Sequence, residues 1–275
     1  MKPIVVRGGG DLATGTILRL CRAGYPVIIL ECARPTAIRR EAAFCEAVFF
    51  GSKEVEGTVC RRADSASEAL AMVTPETPVL LVDEECASLK EIQPDILVDA
   101  IIAKKNLGTD LTMAKLVIGL GPGFTCGKDV DFIVETMRGH NLARVITEGS
   151  ALPNTGVPGA IQGVTKDRVI HAPAAGKLEN YNAIADIVTQ GEPIAVIHTE
   201  DGRDVAVPAT ITGVLRGILP DGFEVPLGMK MADIDPRASE RGNCFTVSDK
   251  ARCIAGSVLE LVSGFEHHAL HYNRI

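Results

Sequence analysis

The residues Gly8-Gly9-Gly10-Asp11-Leu12-Ala13 are the first whose types and spacing point to chemistry. Taken from Gly8 they read G-x-G-x-x-A, between an apolar run, Ile4-Val5-Val6, and a helical pattern. Glycines in that context let the backbone approach a pyrophosphate, and the helix N-terminus supplies N–H donors and a positive dipole. Glu31 closes the next apolar run about 20 residues on, where an acidic group accepts ribose hydroxyls. Gly8, Gly10, Asp11, Ala13 and Glu31 therefore predict a nucleotide or dinucleotide site. The competing reading is a tight strand–helix packing turn that holds no ligand.

Beyond Glu31 lies Arg34-Pro35-Thr36-Ala37-Ile38-Arg39-Arg40, which reads as the start of a helix running from about Thr36 to Cys45. Cations near a helix N-terminus oppose its dipole unless an anion uses both. Thr36, Arg39 and Arg40 are accordingly candidates for a second phosphate or carboxylate contact, a 2′-phosphate included. A solvated basic face is the alternative.

A second glycine loop, Gly119-Leu120-Gly121-Pro122-Gly123, follows the apolar run Leu116-Val117-Ile118. It is no P-loop, because the spacing to Gly127-Lys128 is wrong and Asp129 stands where a magnesium-binding hydroxyl belongs. Gly119, Gly121 and Gly123 still sit where a strand's C-terminal end opens into the crevice in which α/β sheets bind ligands. Asp83, Asp99, Lys104 and Asn106 follow strand-like runs in the same way. Asp233-Ile234-Asp235-Pro236-Arg237 alternates two carboxylates, so both could face one side as metal ligands or as partners of Arg237. Pro236 forbids continuing a central strand. His267 and His271 are four apart but read as a terminal tail rather than a metal site.

These residues need elements to position them. Ile4-Val5-Val6, Val27 to Leu30, Val79 to Val82, Ile96-Leu97-Val98 and Leu116-Val117-Ile118 are continuous apolar runs, the pattern of strands buried on both faces. Helical patterns alternate with them, from Leu12 to Ala23 and from a Ser65 cap with Glu68 to Met72. The expected fold class is α/β: a doubly wound Rossmann-like domain over residues 1–155. Pro153 to Gly159 is a turn-rich linker. Residues 160–225 resemble a β barrel-sandwich of the biotinyl/lipoyl kind, with Ala172-Pro173, Asp186-Ile187-Val188 and Pro208-Ala209 in the pattern. Its hairpin tip is Glu200-Asp201-Gly202 and Met229-Lys230-Met231 comes too late, so no biotin or lipoate attachment is expected. In the C-terminal segment, 226–275, a helix over 248–264 carries an apolar stripe. It must pack back on the α/β domain or on a partner chain, which leaves a homo-oligomer open.

Composition narrows the field. The 275 residues carry 28 Lys+Arg against 35 Asp+Glu, a net charge of −7, with no Trp, three Tyr and eight Phe. Such a chain offers neither a basic footprint nor aromatic stacking to nucleic acid. No apolar run reaches membrane-spanning length and no signal peptide opens the sequence, so a cytoplasmic protein is expected. The eight cysteines form no CxxC or zinc-finger spacing, and reduced core thiols are the reading.

Several short motifs resemble one family. They include Gly8 to Gly15, Pro35 to Arg40, Val98-Asp99-Ala100, Lys104 to Thr109, Gly119 to Phe124, Glu135 to His140, Asn154-Thr155-Gly156, Asp233 to Arg237 and Ser248 to Ala251. Together they are similar to the accessory proteins of selenium-dependent molybdenum hydroxylase systems, the YqeB type. That resemblance implies a maturation role for a xanthine-dehydrogenase-like client enzyme and carries over no catalytic residue. It widens the expected cofactor from NAD(P) or FAD to molybdopterin dinucleotide. If the protein is catalytic, Asp99, Lys104 and His140 are the candidates for acid–base work and Cys126 for chalcogen handling. The rival readings are an NAD(P)-dependent oxidoreductase acting on a small acidic metabolite and a nucleotide-binding scaffold without chemistry.

Overall fold

The β-branched runs of the first half of the chain become one sheet, and the glycines between them set its turns. The computed structural model describes residues 1–156 and 161–270, which fall into two units. The larger comprises Met1–Pro35, Ala42–Thr155 and the segment from Val247, and the smaller comprises Thr36–Glu41 and Gly156–Thr246. Val157, Pro158 and Gly159 of the expected linker, and His271 of the histidine tail, lie outside the described residues.

In the larger unit the order is β1 (Ile4–Arg7), α1 (Asp11–Arg22), β2 (Val27–Glu31), α2 (Ala47–Phe50), β3 (Ser52–Val55), β4 (Thr58–Ala63), α3 (Ala66–Met72) and β5 (Val79–Val82). Then follow α4 (Leu89–Ile92), β6 (Ile96–Asp99), β7 (Leu116–Leu120), β8 (Phe132–Val134) and β9 (Val145–Ile146). The sheet runs β3-β4-β5-β2-β1-β6-β7-β8-β9. Strands β4 to β8 in that row are parallel, and β3 and β9 pair antiparallel at its two edges. Val6 faces one apolar cluster and Val5 the other, so the continuous apolarity of β1 does mean burial on both faces.

The expectation of a doubly wound Rossmann-like domain is corrected. The sheet is mixed, and two of its crossovers, from β6 to β7 and from β7 to β8, lack the helices that such winding requires. Residues 100–115, between β6 and β7, and 121–131, between β7 and β8, contain no helix. One face is covered instead by α1 together with α5 (Asp249–Glu266), which arrives from the far end of the sequence. The other face is covered by α3, α4 and loops. Periodicity along the chain does not show which distant segment covers a face.

Helix α5 starts at Ser248, whose hydroxyl accepts the amide of Ala251 at 3.2 Å. Its stripe buries Ile254, Val258, Leu261 and Val262 completely, each contributing about 1.5–3 kcal/mol. Gly15 of α1 lies against Ala251, so close that a Cβ on Gly15 would stand 2.7 Å from the Ala251 Cβ. At the opposite end the hydroxyl of Tyr25, just past α1, donates to Glu266 Oε2 at 3.0 Å. The two helices therefore run in the same direction, N-terminus beside N-terminus.

The smaller unit holds β10 (Val169–His171), β11 (Gly176–Asn180), β12 (Ile187–Val188), β13 (Pro193–His198), β14 (Asp204–Pro208), β15 (Gly213–Ile218), β16 (Glu224–Val225) and β17 (Lys230–Asp235). They form two four-stranded sheets, β10-β17-β15-β12 and β14-β13-β11-β16, antiparallel throughout. The barrel-sandwich expectation is corrected to this pair of sheets. Short runs with Gly and Pro turns specify strands and hairpins but not how sheets associate. The helix expected over Thr36 to Cys45 is also absent. Residues 36–39 are irregular, and only single 3-10 turns follow, at Arg40–Ala42 and Phe44–Glu46. Gly217 packs on the backbone here, with a Cβ position only 2.6 Å from Ile38 O.

Candidate functional site

Parallel strands put their C-terminal ends on one edge, so residues 8–10, 100–109, 121–124 and 135–138 follow β1, β6, β7 and β8 on the same side of the sheet. At the first of these turns Gly8 has φ +93°, and a Cβ there would meet Ile101 Cα at 3.0 Å. Gly9 lies equally close to the backbone of Cys45 and accepts its amide at 2.8 Å. Glu31 Oε2 accepts the Gly9 amide at 2.7 Å and Oε1 that of Cys32 at 2.8 Å. The carboxylate expected on a ribose thus braces the glycine turn itself. Gly10 is the N-cap of α1 and has no side chain to cap it, while Asp11 lies in the first turn and Ala13 is buried.

Arg7, at the end of β1, is buried beside Asp99, at the end of β6, with Nη1 3.5 Å from Asp99 Oδ2. Thr109 sits between them, accepting from Arg7 Nη1 and donating to Asp99 Oδ2 at 2.5 Å. Asp99 Oδ1 takes the amide of Ile101 at 3.1 Å. Burial pushes the Asp99 carboxyl above its ordinary range, against the opposing pull of Thr109, the Ile101 amide and Arg7. This buried knot closes the 100–109 loop, which Asn106 also ties by exchanging two 2.8 Å bonds with the Thr109 backbone. Inside the loop Ile102 and Lys104 hold φ of +60° and +64°. A β-branched residue in that region is strained, and such strain persists where the surroundings over-determine it.

The second glycine loop is packed by the same means. Gly119 lies on the Phe124 ring and Gly121 (φ +78°) on the Thr136 hydroxyl, and a Cβ on Gly123 (φ +119°) would stand 2.8 Å from the Lys105 backbone. Glu135 is buried and receives the amides of Met137 at 2.7 Å and Leu152 at 2.9 Å. Beside it Arg138 makes a bidentate pair with Asp249, both bonds 2.9 Å. That hydrogen-bonded guanidinium holds the Asp249 carboxyl far below the carboxylate range. Next along α5, Lys250 is half-buried. Burial first, and Arg138 second, lower its affinity for a proton, while Asp11, Glu135 and Asp249 pull the other way. The N-termini of α1 and α5, Lys250 and the Glu135–Arg138 turn therefore meet at one place.

Other expected residues lie elsewhere. Thr36, Arg39 and Arg40 belong to the smaller unit. There Arg39 is buried, donating to Asn243 O and Thr246 O at 3.0 Å each, and Arg40 Nε donates to Ile218 O at 2.8 Å. His140 is exposed and shares an open cavity of about 490 Å3 with Arg144, Cys253 and Glu260. The Cys126 thiol donates to Ile146 O at 3.1 Å, and burial raises its pKa, the opposite of an activated thiolate. All eight cysteines are free, and Cys253 is the exposed one. Asp83 caps the α4 region through the amides of Ala87 and Ser88. Asp233 and Asp235 are buried on β17 and take arginines, Asp233 from Arg168 at 2.8 Å and Asp235 from Arg237 at 2.8 Å. Among the described residues no group of three or more His, Cys, Asp and Glu side chains is arranged to hold a metal ion. No described helix is long and apolar enough to cross a membrane. Sequence reasoning missed Arg7, Thr109 and the role of Lys250. The one available signal was an arginine ending a wholly apolar strand.

No family model matches the sequence. Over 267 residues, 97% of its length, the chain is 46% identical to a protein of Escherichia coli (strain K12) named "Uncharacterized protein YqeB". The chain spans 48%, about half, of that relative's length. The match supports kinship with YqeB-type sequences over this span and carries no link to selenium-dependent hydroxylases. Solved structures that resemble it include an aspartoacylase family protein from Mesorhizobium loti, at 14% identity and a TM-score of 0.29, covering 86% of this chain and 87% of that one. Two others score 0.30 at 11% identity: the ectoine utilization protein EutE (DoeB) from Ruegeria pomeroyi, 85% of each chain covered, and a succinylglutamatedesuccinylase/aspartoacylase from Rhodobacter sphaeroides, 86% and 85% covered. The glycine turn is filled by Ile101, Cys45 and Glu31, and the Escherichia coli relative carries no maturation role in its name, so the maturation, oxidoreductase and nucleotide-scaffold readings of the sequence are withdrawn. Scores this low transfer no activity in their place.

Proposed function

We propose that the larger unit binds a small molecule through a phosphate or carboxylate group, at the place where α1 and α5 begin. The observation that carries this reading is the same-direction packing of the two helices. Two aligned macrodipoles repel, and both positive ends are concentrated where Lys250 adds a further cation. Asp11 and Asp249 offset part of that charge, but Asp249 is committed to Arg138. An anion entering there would interact with helix amides at the uncapped start of α1 and with the Lys250 ammonium together. The strained 100–109 loop and the glycine turns border the same sheet edge and would shape the rest of the ligand's pocket.

The test is a ligand panel read by thermal shift and calorimetry on the whole chain. Inorganic phosphate and sulfate probe the anion alone. Sugar phosphates form the phosphate arm, and dicarboxylic acids form the carboxylate arm. A ligand at a hundred times its Kd stabilises by about 2.7 kcal/mol. Saturable stabilisation by one arm, lost in Lys250→Met, is expected. A panel without any stabilising anion, or one whose binding ignores Lys250→Met, overturns the reading.

A further inference from the structure

The smaller unit has a groove of about 830 Å3 at one end of its β14-β13-β11-β16 sheet. Its walls are the segment leading into β11, the β13–β14 hairpin tip and the residues that follow β16. Two properties of this groove do not belong to the anion site of the larger unit. The first is charge. Glu200, Asp201 and Glu224 line it, and Arg203 is its single lysine or arginine. Arg203 Nε donates to Asp201 Oδ2 at 2.7 Å, so those two cancel. Glu200 and Glu224 have no side-chain partner among the described residues. The groove thus presents two carboxylates outside any ion pair among the described residues, Glu200 at the hairpin tip and Glu224 opposite Lys177 across the β11–β16 pair. The second is apolar exposure: Val205 is half-buried and Pro226 exposed in its lining, and Leu227 on its rim is 70% exposed.

We infer that this groove docks an extended segment of a protein partner that carries lysine or arginine next to an aliphatic side chain. The carboxylates select the cation by charge complementarity, and Leu227 with Pro226 supplies an apolar seat for its neighbour. An extended conformation fits because β16 is an edge strand, paired on one side with β11 and unpaired within the sheet on the other. The hairpin geometry also fixes the backbone that carries Glu200. Thr199 Oγ1 donates to Asp201 and accepts the Arg203 amide at 3.0 Å, which fixes the tip between Glu200 and Gly202.

The experiment is fluorescence anisotropy with the full chain and labelled peptides of about ten residues, in basic–aliphatic, basic–polar, neutral–aliphatic and acidic–aliphatic versions. The basic–aliphatic peptide is expected to bind best and to weaken steeply with added salt. Glu200→Lys and Glu224→Lys are each expected to weaken it about tenfold. Leu227→Ser is expected to weaken it with the salt dependence unchanged. These three positions are exposed, and circular dichroism of each variant checks that the unit stays folded. Equal binding of the acidic peptide, binding that ignores all three substitutions, or no binding up to ~1 mM overturns the inference. So does spermine binding as tightly as the peptide with the same sensitivity to Glu200→Lys, which would make this a small-polyamine site.

Discussion

Arg138 grips Asp249 through two parallel hydrogen bonds of 2.9 Å, fastening the turn after β8 to the first turn of α5. The pair has a stability consequence with a definite sign. Asp249 has a folded-state pKa below its unfolded value, so its contribution is present above the ordinary carboxylate range and is lost as the pH falls through the folded value. Both side chains are half or more exposed, which limits the effect to about 1 kcal/mol. Arg138→Gln should therefore lower stability by up to about 1 kcal/mol at pH 7. Urea unfolding at pH 7 and in strong acid checks it, and a deficit that persists unchanged in acid contradicts it.

Lys250 gives a second pH dependence, opposite in origin. Burial lowers its pKa, so the folded state gives up the Lys250 proton at a lower pH than the unfolded chain does. Anion affinity should accordingly fall as pH rises toward the ordinary lysine pKa of about 10.4, and should do so before that value is reached. Without ligand, Lys250→Met should be neutral or slightly stabilising, since it removes a charge whose burial outweighs the pull of Asp11, Glu135 and Asp249. Calorimetric titrations across alkaline pH, and denaturant melts of the variant, are the measurements. An affinity flat through that range contradicts the assignment.

The approach of Gly15 to Ala251 can be tested by a pair of substitutions. In an open helix Gly→Ala stabilises by about 0.5–1 kcal/mol. At Gly15 the added Cβ would lie 2.7 Å from another Cβ, and overpacking of that kind costs about 1–3 kcal/mol. Gly15→Ala should thus destabilise despite its better propensity, and Ala251→Gly should restore much of the loss. Additive single and double effects in denaturant melts would show that the contact does not set the helix spacing.

The knot of Arg7, Thr109 and Asp99 makes a further prediction. Asp99→Ala leaves the Arg7 guanidinium buried without its carboxylate, a change worth about 3–5 kcal/mol. Replacing both, with Arg7→Met and Asp99→Leu, should cost much less than Asp99→Ala alone. Equal costs in chemical denaturation would mean that the ion pair is not what holds the loop.

Much of the larger unit was legible because a buried strand advertises itself. Val79 to Val82 and Leu116 to Ile118 admit no polar residue, and the Ser65–Glu68 box stands at the start of α3, with Ser65 Oγ accepting the Glu68 amide at 3.2 Å. The Thr36 to Cys45 stretch misled because Pro35, Thr36 and the arginines copy a helix start. Arg39 instead spends its guanidinium on carbonyls two hundred residues away, a long-range contact that local propensity cannot register. The glycines of both loops were ambiguous for a physical reason. A residue without a Cβ is required equally by a phosphate and by a neighbouring backbone, and only coordinates show that Gly8, Gly9 and Gly123 have backbone neighbours. Lys250 was obscured in another way, since its significance depends on α1 and α5 running in the same direction.

Helix α5 covers a face of the sheet that β1 began. During synthesis the β1–β8 strands emerge with that face only half roofed, and the Gly156–Thr246 part of the smaller unit must follow before α5 leaves the ribosome. Ile254, Val258, Leu261 and Val262 then have to find partners laid down at the start of translation, a closure of high sequence separation and hence of slow formation. Until it happens, a broad aliphatic surface is open to other nascent chains. Chains that stall or are clipped before Asp249 should therefore accumulate as chaperone-bound or aggregated species.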